Sequence, residues 1–156
     1  MINQNIFSMR YLKLLVFVFV WSALASCSIS PEPISYGKDQ CGFCRMGVVD
    51  KAHSAQYVTK KGKQFKFDAI ECLIREISDP SISTNDFAHV LVADYSNPGN
   101  LINASTATYI VCKKIKSPMG AYLSAFSDKE EAQKTIAKSG GDLYDWSGIQ
   151  LKLQKK

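Results

Sequence analysis

The chain has 156 residues, of which 46% are hydrophobic, 19 are Lys or Arg and 14 are Asp or Glu, so its formal net charge is +5. This length suits one compact domain or two small lobes that share a core. The basic residues are scattered, except for Lys113, Lys114 and Lys116 and a terminal pair, and few aromatic residues lie among them. The composition therefore excludes nucleic acid from the expected partners.

The N-terminal segment, residues 1–26, is predicted to be a bacterial lipoprotein signal peptide. Arg10 and Lys13 precede an apolar run that is too short for a comfortable transmembrane helix and matches the apolar part of a signal peptide. The run ends in Leu24-Ala25-Ser26-Cys27, which resembles a lipobox, the motif whose cysteine receives lipid before cleavage. We expect lipidation at Cys27; an ordinary signal peptide that precedes a cysteine is the alternative.

A lipid on Cys27 would anchor the protein to the bacterial cell envelope, with its domain facing the periplasm. Ser28 favours the outer membrane under enterobacterial sorting rules, and the inner membrane is the alternative. Residues 27–40 contain Pro31 and Pro33 and show no periodic pattern. They are predicted to be a lipidated, flexible tether.

Residues 41–47, Cys41-Gly42-Phe43-Cys44-Arg45-Met46-Gly47, are called the sulfur loop here because they carry two thiols and a thioether. Thiolate and thioether are soft ligands, which favour copper(I) over hard cations. A Cys-x-x-Cys pair outside the cytosol is also typical of a disulfide, a redox dithiol or half of a zinc site, and a single Met is often core filler. Metal binding, thiol chemistry and an incidental pattern all stay open on spacing alone.

The first half of the domain is predicted to be β-β-α-β. Residues 55–59 and 64–67 alternate around a polar, glycine-containing turn, as in a β-hairpin. Asp68 with Glu71 forms a capping-box pattern at the start of a helix that Pro80 ends, and residues 89–95 form a buried strand. For Cys72, beside the apolar stripe of that helix, a structural role is favoured, as a small buried hydrophobe or a disulfide partner. The predicted stripe is Ile70, Leu73, Ile74 and Ile77.

The second half loosely repeats this order. Strands are predicted at residues 106–112 and 121–126, followed by a helix that Ser127 and Glu130 open with another capping-box pattern. Gly140 and Gly141 end this helix. The fold class is therefore predicted to be α+β, with two ββαβ-like lobes at about residues 41–96 and 104–150 of a domain spanning residues 41–156.

The loop between the two strands of the second half contains Met119, between Pro118 and Gly120. A core methionine is less expected in such an irregular segment, so this loop and the sulfur loop are predicted to meet over one site. Packing of Met119 into a gap is the alternative. With Cys27 lipidated, Cys41, Cys44, Cys72 and Cys112 allow three full disulfide pairings, which the sequence does not choose among.

Several motifs, in this order and at this spacing, together resemble the NosL family, lipoprotein accessory factors of nitrous-oxide reductase. The resemblance implies two ββαβ-like lobes, in a fold group shared with a domain of organomercurial lyase. It also implies binding of one copper(I) ion and its delivery to nitrous-oxide reductase, whose active site is a copper–sulfide cluster. The motifs are the lipobox, Cys41-x-x-Cys44-x-Met46, Gly62 before Phe65-x-Phe67-Asp68 and Cys72, Ser117-Pro118-Met119-Gly120-Ala121, and Ala125-Phe126-Ser127.

The resemblance further implies that Cys44, Met46 and Met119 are the copper ligands. Cys41 is a fourth ligand, a disulfide partner of Cys72 or Cys112, or a thiol that must be reduced before metal enters. His53, in a polar loop, is conceivable only as a transient ligand, and a structural role is favoured for His89.

The function expected on these grounds is that of a copper(I) metallochaperone, not an enzyme, whose partner is apo nitrous-oxide reductase or its maturation machinery. The main alternative is a periplasmic thiol–disulfide redox lipoprotein using Cys41 and Cys44, although no thioredoxin-type helix pattern follows them. Organomercurial cleavage has only fold-level analogy in its favour, which is a weak basis for a function. A structural lipoprotein with zinc or a disulfide in the sulfur loop is the remaining alternative.

Overall fold

The computed structural model describes residues 29–154, so the predicted signal peptide and the lipidation of Cys27 lie outside the described residues. Two antiparallel sheets and three α-helices make up this part of the chain, and the predicted α+β class is confirmed. Among the described residues, no helix combines the length and apolar character needed to cross a membrane.

The first sheet has four strands in the spatial order β2-β1-β3-β4, all antiparallel to their neighbours. It contains the predicted hairpin, whose register pairs Ala55 with Phe67 at one end and Val58 with Gln64 at the other. The predicted third strand is also present but begins and ends two residues earlier than expected. The bounds are β1 Ala55–Thr59, β2 Gln64–Phe67, β3 Phe87–Ala93 and β4 Leu101–Asn103.

Helix α1, Ile70–Ile77, connects β2 to β3 and buries the predicted stripe against the sheet. The capping prediction for Asp68 is wrong, because the N-cap is Ala69, with no side-chain hydrogen bond at that position. Instead, Oδ1 of Asp68 accepts hydrogen bonds from the backbone N–H groups of Val49 (2.6 Å) and Asp50 (2.9 Å). Asp68 therefore fixes the end of the sulfur loop to the start of α1.

The second sheet has the order β6-β5-β7 and repeats the ββαβ topology. Helix α2 begins after Asp128, whose side chain accepts a hydrogen bond from Glu130 N–H, so the predicted cap at Ser127 is one residue early. It ends at Gly140, as predicted, with a φ of 77° that glycine adopts readily. The bounds are β5 Thr108–Val111, β6 Leu123–Phe126, α2 Lys129–Ser139, β7 Asp142–Tyr144 and α3 Trp146–Gln154.

The two sheets share one main hydrophobic core. The largest buried cluster joins residues of β1 and α1 to residues of β5 and β6, and Ile149 of α3 closes it. Asp94 forms a parallel bridge to Ala125, and Tyr95 N–H donates to the Ala125 carbonyl at 2.8 Å. The two lobes are therefore packed and hydrogen-bonded to each other.

Residues 29–40, which were predicted to belong to a flexible tether, instead lie along the face of the first sheet that is opposite α1, because side chains of β1 and β2 bind them. The Gln56 side chain donates to the Glu32 carbonyl (3.1 Å), and the Gln64 side chain donates to the Ser30 carbonyl (3.1 Å). Farther along, Nζ of Lys66 contacts the Asp39 carboxylate at 2.8 Å. This segment therefore runs from the turn end of the hairpin to the end where the sulfur loop begins.

Candidate metal centre

The sulfur loop is a tight turn held by backbone hydrogen bonds. Cys41 N–H donates to the Met46 carbonyl (2.7 Å), and Arg45 N–H donates to the Cys41 carbonyl (3.0 Å). Arg45 has a φ of 66°, in the left-handed region that side chains rarely adopt. Gly42 packs closely on β2: a Cβ there would lie 3.1 Å from the Phe67 ring, a tight contact, and its N–H donates to the Lys66 carbonyl. These contacts fix the loop against β2.

Three thiols lie close together, two from the sulfur loop and one from α1. The Sγ atoms of Cys41, Cys44 and Cys72 all lie within 4.8 Å of one another. Cys72 comes from the first turn of α1 and is 0% exposed, as is Cys41, whereas Cys44 is half-buried. The four cysteines within residues 29–154 are all free thiols. Three converging sulfurs, one of them reachable from solvent, suit a soft metal ion.

The surroundings of these thiols separate their pKa values. Burial acts to raise the pKa of Cys41, but N–H groups of Cys44, Asp68 and Phe43 donate to its sulfur and bring the pKa below its ordinary value. Burial, together with negative charge on Cys41 and Cys44, raises the pKa of Cys72 far above its ordinary value. Of the two buried thiols, Cys41 therefore loses its proton more readily than Cys72.

The Met119 loop, residues 117–121, is fastened to α1 beside Cys72. Glu71, which is fully buried, accepts hydrogen bonds at Oε1 from the Ser117 hydroxyl (2.5 Å) and from Ala121 N–H (3.3 Å). Ser117 Oγ in turn accepts from Tyr122 N–H at 2.9 Å. Glu71 therefore holds both ends of the loop that carries Met119, one residue away from Cys72.

The predicted metal ligands differ in their exposure. Met46 is 49% exposed on the outside of the sulfur loop, and Cys44 and Met119 are half-buried. Met119 packs against the hydrophobic cluster that includes Cys41 and Cys72. The assignment of Cys41, Cys44, Met46 and Met119 as ligands stays a prediction; the structure brings together two buried thiols and one half-buried thiol, and Met46 lies in the same loop as two of them.

The remaining candidates lie in other surroundings. His53 is 4% exposed, and its ring contacts Asp50 Oδ2 at 3.0 Å and Ser124 Oγ at 3.1 Å, so both nitrogens are engaged in protein contacts. His89 Nε2 contacts the Ile29 carbonyl at 3.0 Å. Cys112 belongs to a separate hydrophobic cluster with Phe126. None of these three residues is part of the thiol cluster.

Two residues of the site were assigned other roles from the sequence. Cys72 was assigned a structural role, and Glu71 was interpreted as a capping partner. The one sequence signal for Cys72 was its position beside a buried helical stripe, which does not show that the sulfur loop packs on it. No sequence pattern predicts the role of Glu71, because its hydrogen-bond partners are 46 and 50 positions away in the chain.

The fold and this cluster define a small two-lobed α+β protein with three clustered thiols that are suited to a soft metal ion. Comparison with known proteins gives the family. The NosL family model matches residues 33–153, and the chain belongs to the NosL family.

Two relatives illustrate what the chain is similar to. It is 28% identical over 120 residues to the copper-binding lipoprotein NosL of Stutzerimonas stutzeri, a match that covers 72% of this chain and 63% of that protein. The chain thus spans less than two thirds of this relative's length. Its structure is similar to that of the copper chaperone NosL from Shewanella denitrificans, with a TM-score of 0.65 and 25% identity, covering 74% of this chain and 92% of that one.

Proposed function

We propose that this protein is a membrane-anchored, extracytoplasmic copper(I) metallochaperone, not an enzyme. It binds one copper(I) ion through Cys and Met side chains and delivers it for assembly of the copper–sulfide centre of nitrous-oxide reductase. The observation that carries the proposal is the cluster of Cys41, Cys44 and Cys72, with Sγ atoms within 4.8 Å of one another, in a chain of the NosL family. The anchor is the lipid on Cys27.

The ligands that we propose are Cys44, Met46 and Met119, with Cys41 as a fourth and Cys72 as an addition from the structure. One thiolate with thioethers makes a low-charge site that releases copper(I) by ligand exchange. Additional thiolates hold the ion more tightly. Cys44 belongs to both ligand sets, so the ion can pass from the buried thiols to the surface methionine without leaving the protein.

The test of the site is an anaerobic titration of the reduced protein with copper(I), against a chromophoric competing chelator. Wild type is expected to bind one ion, and the variants Cys44→Ala, Met46→Ala and Met119→Ala are expected to bind it more weakly. Unchanged affinity in both methionine variants would refute the mixed Cys and Met ligand set. Binding of zinc(II) as tightly as copper(I) would favour a structural zinc site.

The delivery step has its own test. Copper-loaded protein is mixed anaerobically with apo nitrous-oxide reductase, and the two are separated and analysed for copper. Transfer that exceeds transfer from an equal amount of copper–chelator complex supports the proposed recipient. Transfer only when the maturation machinery is present makes that machinery the direct partner. No transfer in either case contradicts the recipient and leaves the metal site standing.

A thiol–disulfide redox lipoprotein using Cys41 and Cys44 is the second candidate. The observation in its favour is the lowered pKa of Cys41, because thiolate is the reactive form in disulfide exchange. Its test is disulfide exchange with a model substrate, measured beside the copper titration. Exchange catalysed by wild type and lost in both Cys41→Ala and Cys44→Ala would establish it.

A further inference from the structure

A basic surface lies at the turn end of the first hairpin. Lys60, Lys61 and Lys63 surround the mouth of a cavity of 350 Å³. We call these three lysines and this cavity the lysine end. Asp86 is the single acidic residue in its lining, and the walls include Tyr57, Phe65, Ile82 and Phe87.

The lysines of this surface are available to a partner. All three are exposed, and within residues 29–154 none of them forms an ion pair. Nζ of Lys63 lies 4.6 Å from the centre of the Phe65 ring, so that charge sits directly over apolar surface. Exposed lysines over an aromatic, largely apolar cavity match a partner that is anionic at its surface and apolar beneath it.

The chain enters the described structure at this same end. The Ile29 carbonyl contacts His89 and the Ser30 carbonyl contacts Gln64; His89 and Gln64 both pair with Val58, one residue before the end of β1. Ile29 is 37% exposed. Cys27 is two residues before Ile29, and two residues span at most about 7 Å. That span is no longer than the distance of about 8 Å over which charges interact at physiological ionic strength.

The thiol cluster lies at the other end of the same strands. Gly42 is bonded to Lys66, beside Phe67, and Phe67 pairs with Ala55 at the start of β1. At a rise of about 3.3 Å per residue, the five residues of β1 separate the two ends by on the order of 15 Å. Gly42 and the start of the sulfur loop are therefore at the opposite end of β1 from the lysine end.

We propose that the lysine end docks on the anionic headgroups of the membrane that holds the lipid anchor, and so sets the orientation of the domain. This inference depends on the lipidation of Cys27 in the proposed function. The anchor keeps the domain at the membrane, while the three lysines decide which face it presents to the lipid. The start of the sulfur loop is then at the end of these strands that is farther from the lipid.

The experiment uses the full lipidated protein on two kinds of vesicle, phosphatidylcholine alone and phosphatidylcholine with phosphatidylglycerol. A water-soluble amine-acylating reagent labels exposed lysines, and mass spectrometry gives the rate at each one. We expect labelling of Lys60, Lys61 and Lys63 to be about fivefold slower on the anionic vesicles, the factor that one favourable lysine–membrane contact supplies. Lys113, Lys114 and Lys116 are the internal control, with equal rates on both vesicles.

The matched variants reverse each set of charges. In Lys60→Glu/Lys61→Glu/Lys63→Glu, the backbone amides of residues 59–64 are followed by hydrogen exchange. Amides protected by anionic vesicles in wild type are expected to lose that protection. The control Lys113→Glu/Lys114→Glu/Lys116→Glu is expected to keep it. High salt is expected to remove the protection from wild type as well.

Flotation with neutral vesicles shows whether the protein carries its lipid anchor, independently of whether the lysine end docks on anionic lipid. Protein that floats but is labelled equally on both vesicles overturns the docking and leaves the proposed function intact. Protein that does not float lacks the anchor, which overturns this inference together with the proposed localisation. Protection of the three lysines by apo nitrous-oxide reductase without vesicles, and not by anionic lipid, would assign the surface to a protein partner and also overturn the inference.

Discussion

The carboxylate of Glu71 accepts a 2.5 Å hydrogen bond from the hydroxyl of Ser117, across 46 positions of sequence. The same oxygen accepts Ala121 N–H, while Oε2 is buried with no partner among the described residues. A buried carboxylate group is kept only where its partners compensate for the loss of water. Here those partners are the two ends of the Met119 loop, so this contact couples the loop to the helix that carries Cys72.

Replacing Glu71 with Ala is expected to lower the free energy of unfolding by about 2–4 kcal/mol, because the Ser117 hydroxyl and Ala121 N–H lose their buried acceptor. Glu71→Gln keeps an acceptor oxygen, so its free energy of unfolding is expected to fall by less than that of Glu71→Ala. Urea unfolding of the reduced, metal-free protein measures both. Glu76→Ala on the same helix is the control, since Glu76 is only half-buried, and equal losses in Glu71→Ala and Glu76→Ala would contradict the role of Glu71.

Cys72→Ala is expected to weaken copper(I) binding at least about tenfold, equivalent to about 1.4 kcal/mol, because a thiol is removed from the three-sulfur cluster. Cys112→Ala is the matched control, since Cys112 is equally buried but lies in another cluster. Chelator competition under anaerobic conditions gives both affinities. A similar loss in the two variants would mean that general destabilisation, and not ligand removal, weakens binding.

Copper(I) affinity is expected to rise with pH. Burial and the charge of neighbouring thiolates raise the pKa of Cys72, so this thiol keeps its proton at neutral pH and must release it when it binds metal. The lowered pKa of Cys41 means that its contribution to this proton release is smaller. In titrations at several pH values, the slope of log affinity against pH equals the number of protons released on binding. This slope should be smaller by about one in Cys72→Ala than in wild type. Equal slopes in wild type and Cys72→Ala would exclude Cys72 as a ligand.

His53→Ala is expected to destabilise the fold by about 2–4 kcal/mol without changing copper(I) affinity. The substitution leaves Asp50 and Ser124 without their buried partner and opens a cavity between the lobes. His89→Ala, which removes a half-buried ring, is expected to cost less than about 1 kcal/mol. Thermal unfolding and copper titration are run in parallel; a fall in affinity at a temperature where the variant is folded would restore His53 as a ligand.

Local sequence patterns predict the elements of this fold well. Alternation in residues 55–59 and 64–67, the stripe at Ile70 and Leu73, and the glycine at 140 all depend on contacts near in sequence, and the structure confirms them. The bounds of β1 and β2 match the prediction, and those of β3, β5 and β6 differ by up to two residues. In β5 and β6 the hydrogen-bonded pairing covers less than the predicted run of strand-forming residues.

The errors concern polar side chains with distant partners. Asp68 has the sequence pattern of a helix cap, yet its carboxylate binds backbone N–H groups 18 and 19 positions earlier in the chain. Cys72 looks like an ordinary core residue, because the thiols that converge on it come from a loop about thirty residues earlier. A single sequence contains no local signal for which loop packs on which helix.

The uneven exposure of the three thiols has a consequence for the order of events in the proposed function. Cys41 and Cys72 are closed to solvent, so under the proposed function a protein that gives or takes copper must approach the half-buried Cys44 and the exposed Met46, two residues apart in the sulfur loop. The supplier and the recipient then compete for a single docking face and cannot be bound at the same time. Copper handling by this protein would follow a ping-pong sequence, in which the supplier leaves before the recipient arrives.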